Sequence, residues 1–194
     1  MRIATLTYNC QQQTVSQAKW SYVLERLTHH GVFFMLKIRP ASADDAPLLK
    51  QMILELAEYE KERELAVITE ADIVRDGFGP VPKFRALIAE WHDRSAGYAL
   101  FYDSYSTWEG KPALFLEDLF VRSQYRSNGI GKSLLAHVAR IAKSEQCYGV
   151  RWEVLDWNQP AINFYKRLGG TFLDQWTSVV LTGDALERAA HENL

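Results

Sequence analysis

The segment Arg126-Ser127-Asn128-Gly129-Ile130-Gly131-Lys132-Ser133 carries the densest chemical signal in the chain. Its Gly-Lys-Ser ending suggests a triphosphate-binding loop, but that motif needs another glycine five positions earlier, where Arg126 stands. A dinucleotide fingerprint needs glycine at position 134, which is leucine. What is left is a glycine-bearing loop that opens a long helix. The first N–H groups of a helix are unpaired and its dipole favours an anion there. Gly129 and Gly131 let backbone approach a phosphate, while Arg126 and Lys132 add positive charge. The physical inference is a pyrophosphate-bearing ligand. The competing reading is a tight loop that merely packs the helix on a sheet.

A second signal is the acidic pair Glu117-Asp118, set between Leu114-Phe115-Leu116 and Leu119-Phe120-Val121. Carboxylates inside so apolar a strand are costly to bury without partners. They suit the binding or deprotonation of a cation, or an ordinary pairing with Arg or Lys. Adjacent strand residues face opposite sides of a sheet, so separate roles are expected for the two.

These groups need elements to hold them. Leu36 to Pro40 alternates as a half-buried strand does. Ser42, with Asp45 and Pro47, starts a helix whose stripe Leu49, Met52, Ile53, Leu56 and Ala57 runs to about Glu60. Thr69 caps a short helix over 70–75, ended by Gly77 and Gly79. Three strands follow at 84–91, 97–105 and 113–121, separated by turns at 92–95 and 109–112. The loop 122–128 then leads to a helix over about 129–146 and a strand at 150–155. Asn158 caps a further helix stopped by Gly169-Gly170. A last strand at about 176–181 precedes a short charged helix. The pattern is α/β: a mainly antiparallel front half, then one parallel β-α-β unit.

The chain has 194 residues, 47% of them hydrophobic and 24% charged, which suits one globular domain and excludes disordered, collagenous or coiled-coil classes. A net charge of −2 gives no electrostatic case for nucleic acid or an anionic membrane. Two cysteines, Cys10 and Cys147, are too few for a disulfide framework. No apolar run approaches the ~20 residues of a spanning helix. The five histidines are scattered without metal-ligand spacing. Residues 1–34 read apart, with Glu25 as the one acid and a Gln11-Gln12-Gln13 cluster. They are expected to be a poorly ordered extension, or the product of a start upstream of Met35, with the domain spanning 35–194. Low acidity loosely suggests an organellar transit segment, but arginine is sparse. Within them, 15–27 has the pattern of a short helix.

Arg126-x-x-Gly129-x-Gly131 resembles the coenzyme A loop of the GCN5-related N-acetyltransferases (GNAT), and the resemblance extends over about 35–181. Leu116-Glu117-Asp118, Asp76-Gly77-Phe78-Gly79, Tyr105-Ser106-Thr107-Trp108, Leu155-Asp156-Trp157-Asn158-Gln159 and Phe164-Tyr165-Lys166 resemble the branch that acetylates diamines and thialysine. The fold it implies is the GNAT fold: a mixed, mostly antiparallel sheet of about six to seven strands around a central β-α-β unit for acetyl-CoA.

The resemblance implies an acetyl-CoA-dependent N-acetyltransferase acting on a small cationic amine by direct transfer. It implies Tyr165 as general acid toward the thiolate and Glu117 as base, working through water. Arg126, Ser127, Asn128, Gly129, Ile130, Gly131 and Lys132 would take the pyrophosphate. The backbone of Leu119, Phe120 and Val121 would take the thioester and pantetheine arm, with Asn158 and Asn163 as further coenzyme contacts. Asn158 has the competing role of a helix cap. Tyr59, Glu60, Trp108, Asp118, Arg151, Trp152 and Glu153 match substrate-side positions, whose carboxylates and aromatic faces suit a cation. Spermidine enzymes carry an acid two positions before the tryptophan, where this chain has Ser106; that favours a lysine analogue or short diamine. A cytoplasmic homodimer without metal is implied as well. The alternatives are a protein or peptide N-acetyltransferase and a non-catalytic coenzyme A-binding domain.

Overall fold

Alternating apolar residues place strands, and the strands order themselves along the chain. In the computed structural model, which describes residues 23–29 and 32–191 with side chains from Leu36 onward, six strands form one sheet in the order β1 to β6. They are β1 (Val23–His29), β2 (Val32–Pro40), β3 (Arg85–Trp91), β4 (Arg94–Ser106), β5 (Lys111–Val121) and β6 (Val150–Arg151). All neighbours are antiparallel except β5 and β6, which run parallel. Helix α3 (Ile130–Ser144) makes the crossover between those two, the connection a parallel pair requires.

The sheet is covered on both faces. Leu49 and Met52 of α1 (Ala46–Tyr59) and Ile73 of α2 (Glu70–Phe78) pack with Ile88, Tyr98, Leu100 and Phe120 on one face. Ile130, Leu134, Val138 and Ile141 of α3 pack with Leu36, Leu87, Phe101, Leu114 and Leu116 on the other. Double coverage explains why β3 reads Ala-Leu-Ile-Ala without polar alternation. The β3–β4 hairpin closes through His92 and Asp93, both at positive φ (49° and 60°), the geometry that matches strand twist in a two-residue turn.

Capping fixes the helix starts. Ser42 and Asp45 make a reciprocal capping box on a single 3₁₀ turn before α1, and Thr69 with Asp72 does the same for α2. Asn158 Oδ1 accepts from the Ala161 N–H at 3.2 Å and opens α4 (Gln159–Arg167). The last helix is α5 (Gly183–His191). By chain contacts the molecule forms two compact units, Met1–Trp152 and Glu153–Leu194.

The structure corrects several expected elements. Helix α2 runs through Gly77 to Phe78 because Ile73 anchors it in the core. Strand β6 pairs over two residues instead of six. Residues 176–181 form no strand, and Val179 and Val180 are 90% and 79% exposed. Of the helix expected at 15–27, Val23 to Leu27 is strand, paired with β2; the remainder lies outside the described residues. Strand β2 begins at Val32, ahead of Met35. Among the described residues no helix is long and apolar enough to cross a membrane.

Candidate active site

The acidic pair sits where β5 breaks register. Phe101 on β4 lies opposite Leu116, but Leu100 lies opposite Asp118, so Glu117 is the extra residue of a β-bulge. The bulge reverses the alternation of the strand. Leu114 and Leu116 face α3, yet Phe120 belongs to the core beneath α1 and α2. Asp118 shares that face and accepts a hydrogen bond from Tyr98 Oη at 2.9 Å on Oδ2. Glu117 acts electrostatically on both Asp118 and Tyr98. The expectation of opposite faces for the two carboxylates is therefore overturned: the inserted residue brings both toward the α1–α2 side.

The same break re-aims the backbone. The Leu114 N–H donates outward, to Gly149 O at 3.1 Å, whereas the Arg122 N–H donates inward, to Ala96 O of β4 at 2.9 Å. These residues are an even number apart, so an unbroken strand would point both the same way. Beyond the bulge, Phe120 turns its backbone inward. A Cβ on Gly97 of β4 would lie 2.3 Å from Phe120 O, which only glycine permits. Leu119 and Val121 turn outward, along the edge that β6 stops pairing after Phe115. Arg126 Nε reaches that edge and donates to Val121 O at 2.9 Å. Of the three residues expected to offer backbone to a ligand, Leu119 and Val121 are aimed to do so and Phe120 is not.

Helix α1 closes the site. Arg122 at the end of β5 makes two hydrogen bonds of 2.8 Å to Glu55 and a third, of 2.9 Å, to Ser95 O. This clamp holds the C-terminal end of α1 against β5 and places Glu60 beside the pair. Burial, then Glu62, raises the Glu60 carboxyl above its ordinary value. Asp118 is pushed up to about 6 by burial first, with Glu117 and Glu60 adding to the rise and the Tyr98 bond opposing it. No salt bridge of the described residues neutralises Asp118. Glu60, Glu117 and Asp118 thus lie within electrostatic reach of one another, an arrangement that a neighbouring positive charge would relieve.

The loop 126–131 is shaped as a helix-terminus cradle. Gly129 caps α3 at φ 77° with no side chain to occupy the first N–H groups. Ser127 is also left-handed, at φ 66°. Asn128 Nδ2 donates back to Tyr125 O at 3.1 Å, and the Arg126 guanidinium lies 4.7 Å over the Tyr59 ring. A bulged acidic strand leading into such a loop is a recognisable pairing. A profile of the Acetyltransferase (GNAT) family matches residues 49–170. The chain belongs to this family.

It is thus an acetyltransferase, and GNAT enzymes take acetyl groups from acetyl-CoA. The chain is 38% identical over 164 residues to a thialysine N-epsilon-acetyltransferase of Sus scrofa, covering 79% of this chain and 96% of that one. It is 39% identical over 140 residues to a spermidine/spermine N(1)-acetyltransferase-like protein 1 of Homo sapiens, covering 69% of this chain and 20% of that one. An integron cassette protein from the mobile metagenome of V. cholerae shares the fold, with TM-score 0.69 at 24% identity, over 81% of this chain and 98% of that one.

Within the GNAT frame, the loop residues fit the coenzyme's pyrophosphate: the αL glycine leaves space where a Cβ would meet nothing within 4 Å, and Lys132 is exposed beside it. Other expected positions are more scattered. Trp108 is 87% exposed at the tip of the β4–β5 hairpin, about 20 Å along β5 from Glu117 at the usual rise per residue. One chain does not bring these two together. Ser106 uses its Oγ on its own turn, accepting from the Glu109 N–H at 3.2 Å. Arg151 is exposed on β6, while Trp152 packs against the core beneath α3. In the second unit, Glu153 accepts a hydrogen bond from Ser178 Oγ, Asn163 is exposed, and Asn158 caps α4. Tyr165 is buried on α4, its ring 5.2 Å from that of Phe164. Tyr98 and the Arg122–Glu55 clamp were not among the expected site residues. Their one sequence signal is the type of residue at an otherwise apolar or strand-end position.

Proposed function

We propose that this acetyltransferase moves the acetyl group of acetyl-CoA to the primary amine of a small cationic molecule, a lysine analogue or short diamine. The observation that carries the reading is the β5 bulge, which gathers Glu117 and Asp118 on one face and turns the Leu119 N–H to the open edge. The similarity to enzymes named for small amines supports it over a peptide substrate or a non-catalytic module.

An alkyl ammonium is mostly protonated at neutral pH and must lose a proton to attack. Asp118 and Glu60 hold the incoming cation, and Glu117 accepts its proton through water. The amine nitrogen then bonds to the thioester carbonyl carbon. Negative charge gathers on the carbonyl oxygen, which the Leu119 N–H stabilises. As the carbon–sulfur bond breaks, the Tyr165 hydroxyl gives its proton to the departing thiolate. The second proton, shed by the new amide nitrogen, passes through water to restore that hydroxyl. Arg126 to Lys132, the Val121 backbone, Asn158 and Asn163 hold the coenzyme; Tyr59 supports Arg126 from beneath. Arg151, Trp152 and Glu153 line the substrate side in this reading.

Glu117→Gln should lower kcat on the order of 100-fold or more, and Tyr165→Phe should lower it with little change in acetyl-CoA affinity. Steady-state kinetics with isothermal titration of acetyl-CoA separates the two quantities. Full turnover in either variant removes that residue from its role. The exposed Trp108 completes a second copy's site in a homodimer, and a monomer by sedimentation equilibrium would remove that part. A cytoplasmic setting belongs to the same reading, supported by the sparse cysteines.

A further inference from the structure

Tyr98 is 0% exposed, midway along β4. Its ring packs against Phe120, with centroids 6.1 Å apart and planes at 54°, as a phenylalanine could. Its hydroxyl adds a demand that phenylalanine would not: a buried O–H must find a partner. The partner is Asp118 Oδ2 at 2.9 Å, reached diagonally across the strand pair, since Tyr98 lies opposite Phe120 and Asp118 opposite Leu100. The bulge makes this meeting possible by turning Asp118 onto the Tyr98 face.

The groups acting on Asp118 are Tyr98 from β4, Glu117 beside it on β5, and Glu60 just past the end of α1. Burial and both glutamates disfavour its charged form, and the Tyr98 hydrogen bond favours it. Burial and then Asp118 hold the Tyr98 hydroxyl well above its ordinary value, so it remains a donor across the working pH range.

Resting on the amine-acetylation reading, we propose that Tyr98 is a positioning residue: its hydroxyl fixes Asp118 Oδ2 and leaves Oδ1 to receive the substrate ammonium. The partly buried bond sets both the orientation and the charge of the carboxylate. Without it, Asp118 is a half-buried acid beside two other acids, and takes up a proton where it should bind a cation.

The test compares wild type, Tyr98→Phe, Asp118→Asn and the double variant, all as full chains. Carbon-13 NMR follows the Asp118 carboxyl through a pH titration, with and without thialysine as probe. Tyr98→Phe should raise the Asp118 midpoint by about one pH unit or more, as loss of a charge-assisted hydrogen bond implies. At pH 7 the amine KM should rise about tenfold, far more than kcat falls, with acetyl-CoA KM unchanged. Adding Tyr98→Phe to Asp118→Asn should cost little more, because the two act as one unit. An unmoved midpoint, or full additivity in the double variant, overturns the proposal while leaving amine acetylation standing. If thialysine and putrescine both fail to shift the wild-type Asp118 titration, Asp118 is not the cation's partner, and that overturns the proposal together with the amine site it rests on.

Discussion

Asp118 is the residue whose chemistry is most exposed to measurement, because its folded-state midpoint of about 6 lies above the ordinary 3.8. A carboxyl raised in this way binds more protons folded than unfolded, so its ionisation works against the fold. Stability should fall as pH rises from about 4 through about 6, then level off. Asp118→Asn should lose that segment of the profile, which urea midpoints from pH 4 to 8 would reveal; an unchanged slope counts against the shift. Asp45 behaves oppositely: the Arg39 hydrogen bond holds it down at about 2, so its contribution is present above about 4 and fades as pH falls through 2. An ammonium beside Asp118 pulls the midpoint back down, so amine affinity should rise with pH through about 6. The sequence shows Glu117 and Asp118 plainly, because acids in an apolar strand stand out. Their shared face does not show, since period-two alternation assumes an unbroken strand and Leu-Glu-Asp carries no bulge signal. Tyr98 is equally silent: a tyrosine in Ala-Gly-Tyr-Ala-Leu-Phe reads as core, and only the bulge gives its hydroxyl a partner.

At the scale of elements, the function depends on how β4 holds β5. Gly97 touches Phe120 O so closely that Gly97→Ala must push the strands apart, costing about 1–3 kcal/mol by overpacking and lowering Tm by roughly 3–10 °C. Because the displaced strand carries Leu119 and Val121, acetyl-CoA KM should rise with it. A variant with unaltered melting and KM would show that the strand pair yields without consequence. Strands β2 to β5 and the caps Ser42, Thr69 and Asn158 are legible in sequence, since alternation and capping are local. Where tertiary pairing decides, local pattern misleads. Val-Arg-Trp-Glu-Val-Leu at 150–155 has the composition of a strand, yet the parallel ladder with β5 covers only Val150 and Arg151. Trp-Thr-Ser-Val-Val-Leu at 176–181 is as β-prone and forms no strand. Gly77 reads as a helix stop, but the packing of Ile73 carries α2 past it.

Taken as a whole molecule, the chain sets the bulged acidic stretch of β5 shortly before the glycine-capped start of α3. The bulge supplies the carboxylates and the open N–H groups, and the loop beyond it supplies the cradle. The glycine spacing alone leaves a packing loop as a competing explanation; the ordered motifs from Asp76 to Lys166 are what make the GNAT family visible before the fold is known. In the proposed reading Ser106 bears on the preference among amines, because spermidine enzymes carry a carboxylate at that place. The most direct measurement is coenzyme A release from acetyl-CoA with thialysine, lysine, putrescine, spermidine and a lysine peptide in parallel. Turnover should be highest with thialysine or lysine, lower with spermidine, and absent with the peptide. A response to the peptide alone, or silence across the panel while acetyl-CoA still binds, would contradict acetylation of a small cationic amine at the Glu117–Asp118 site.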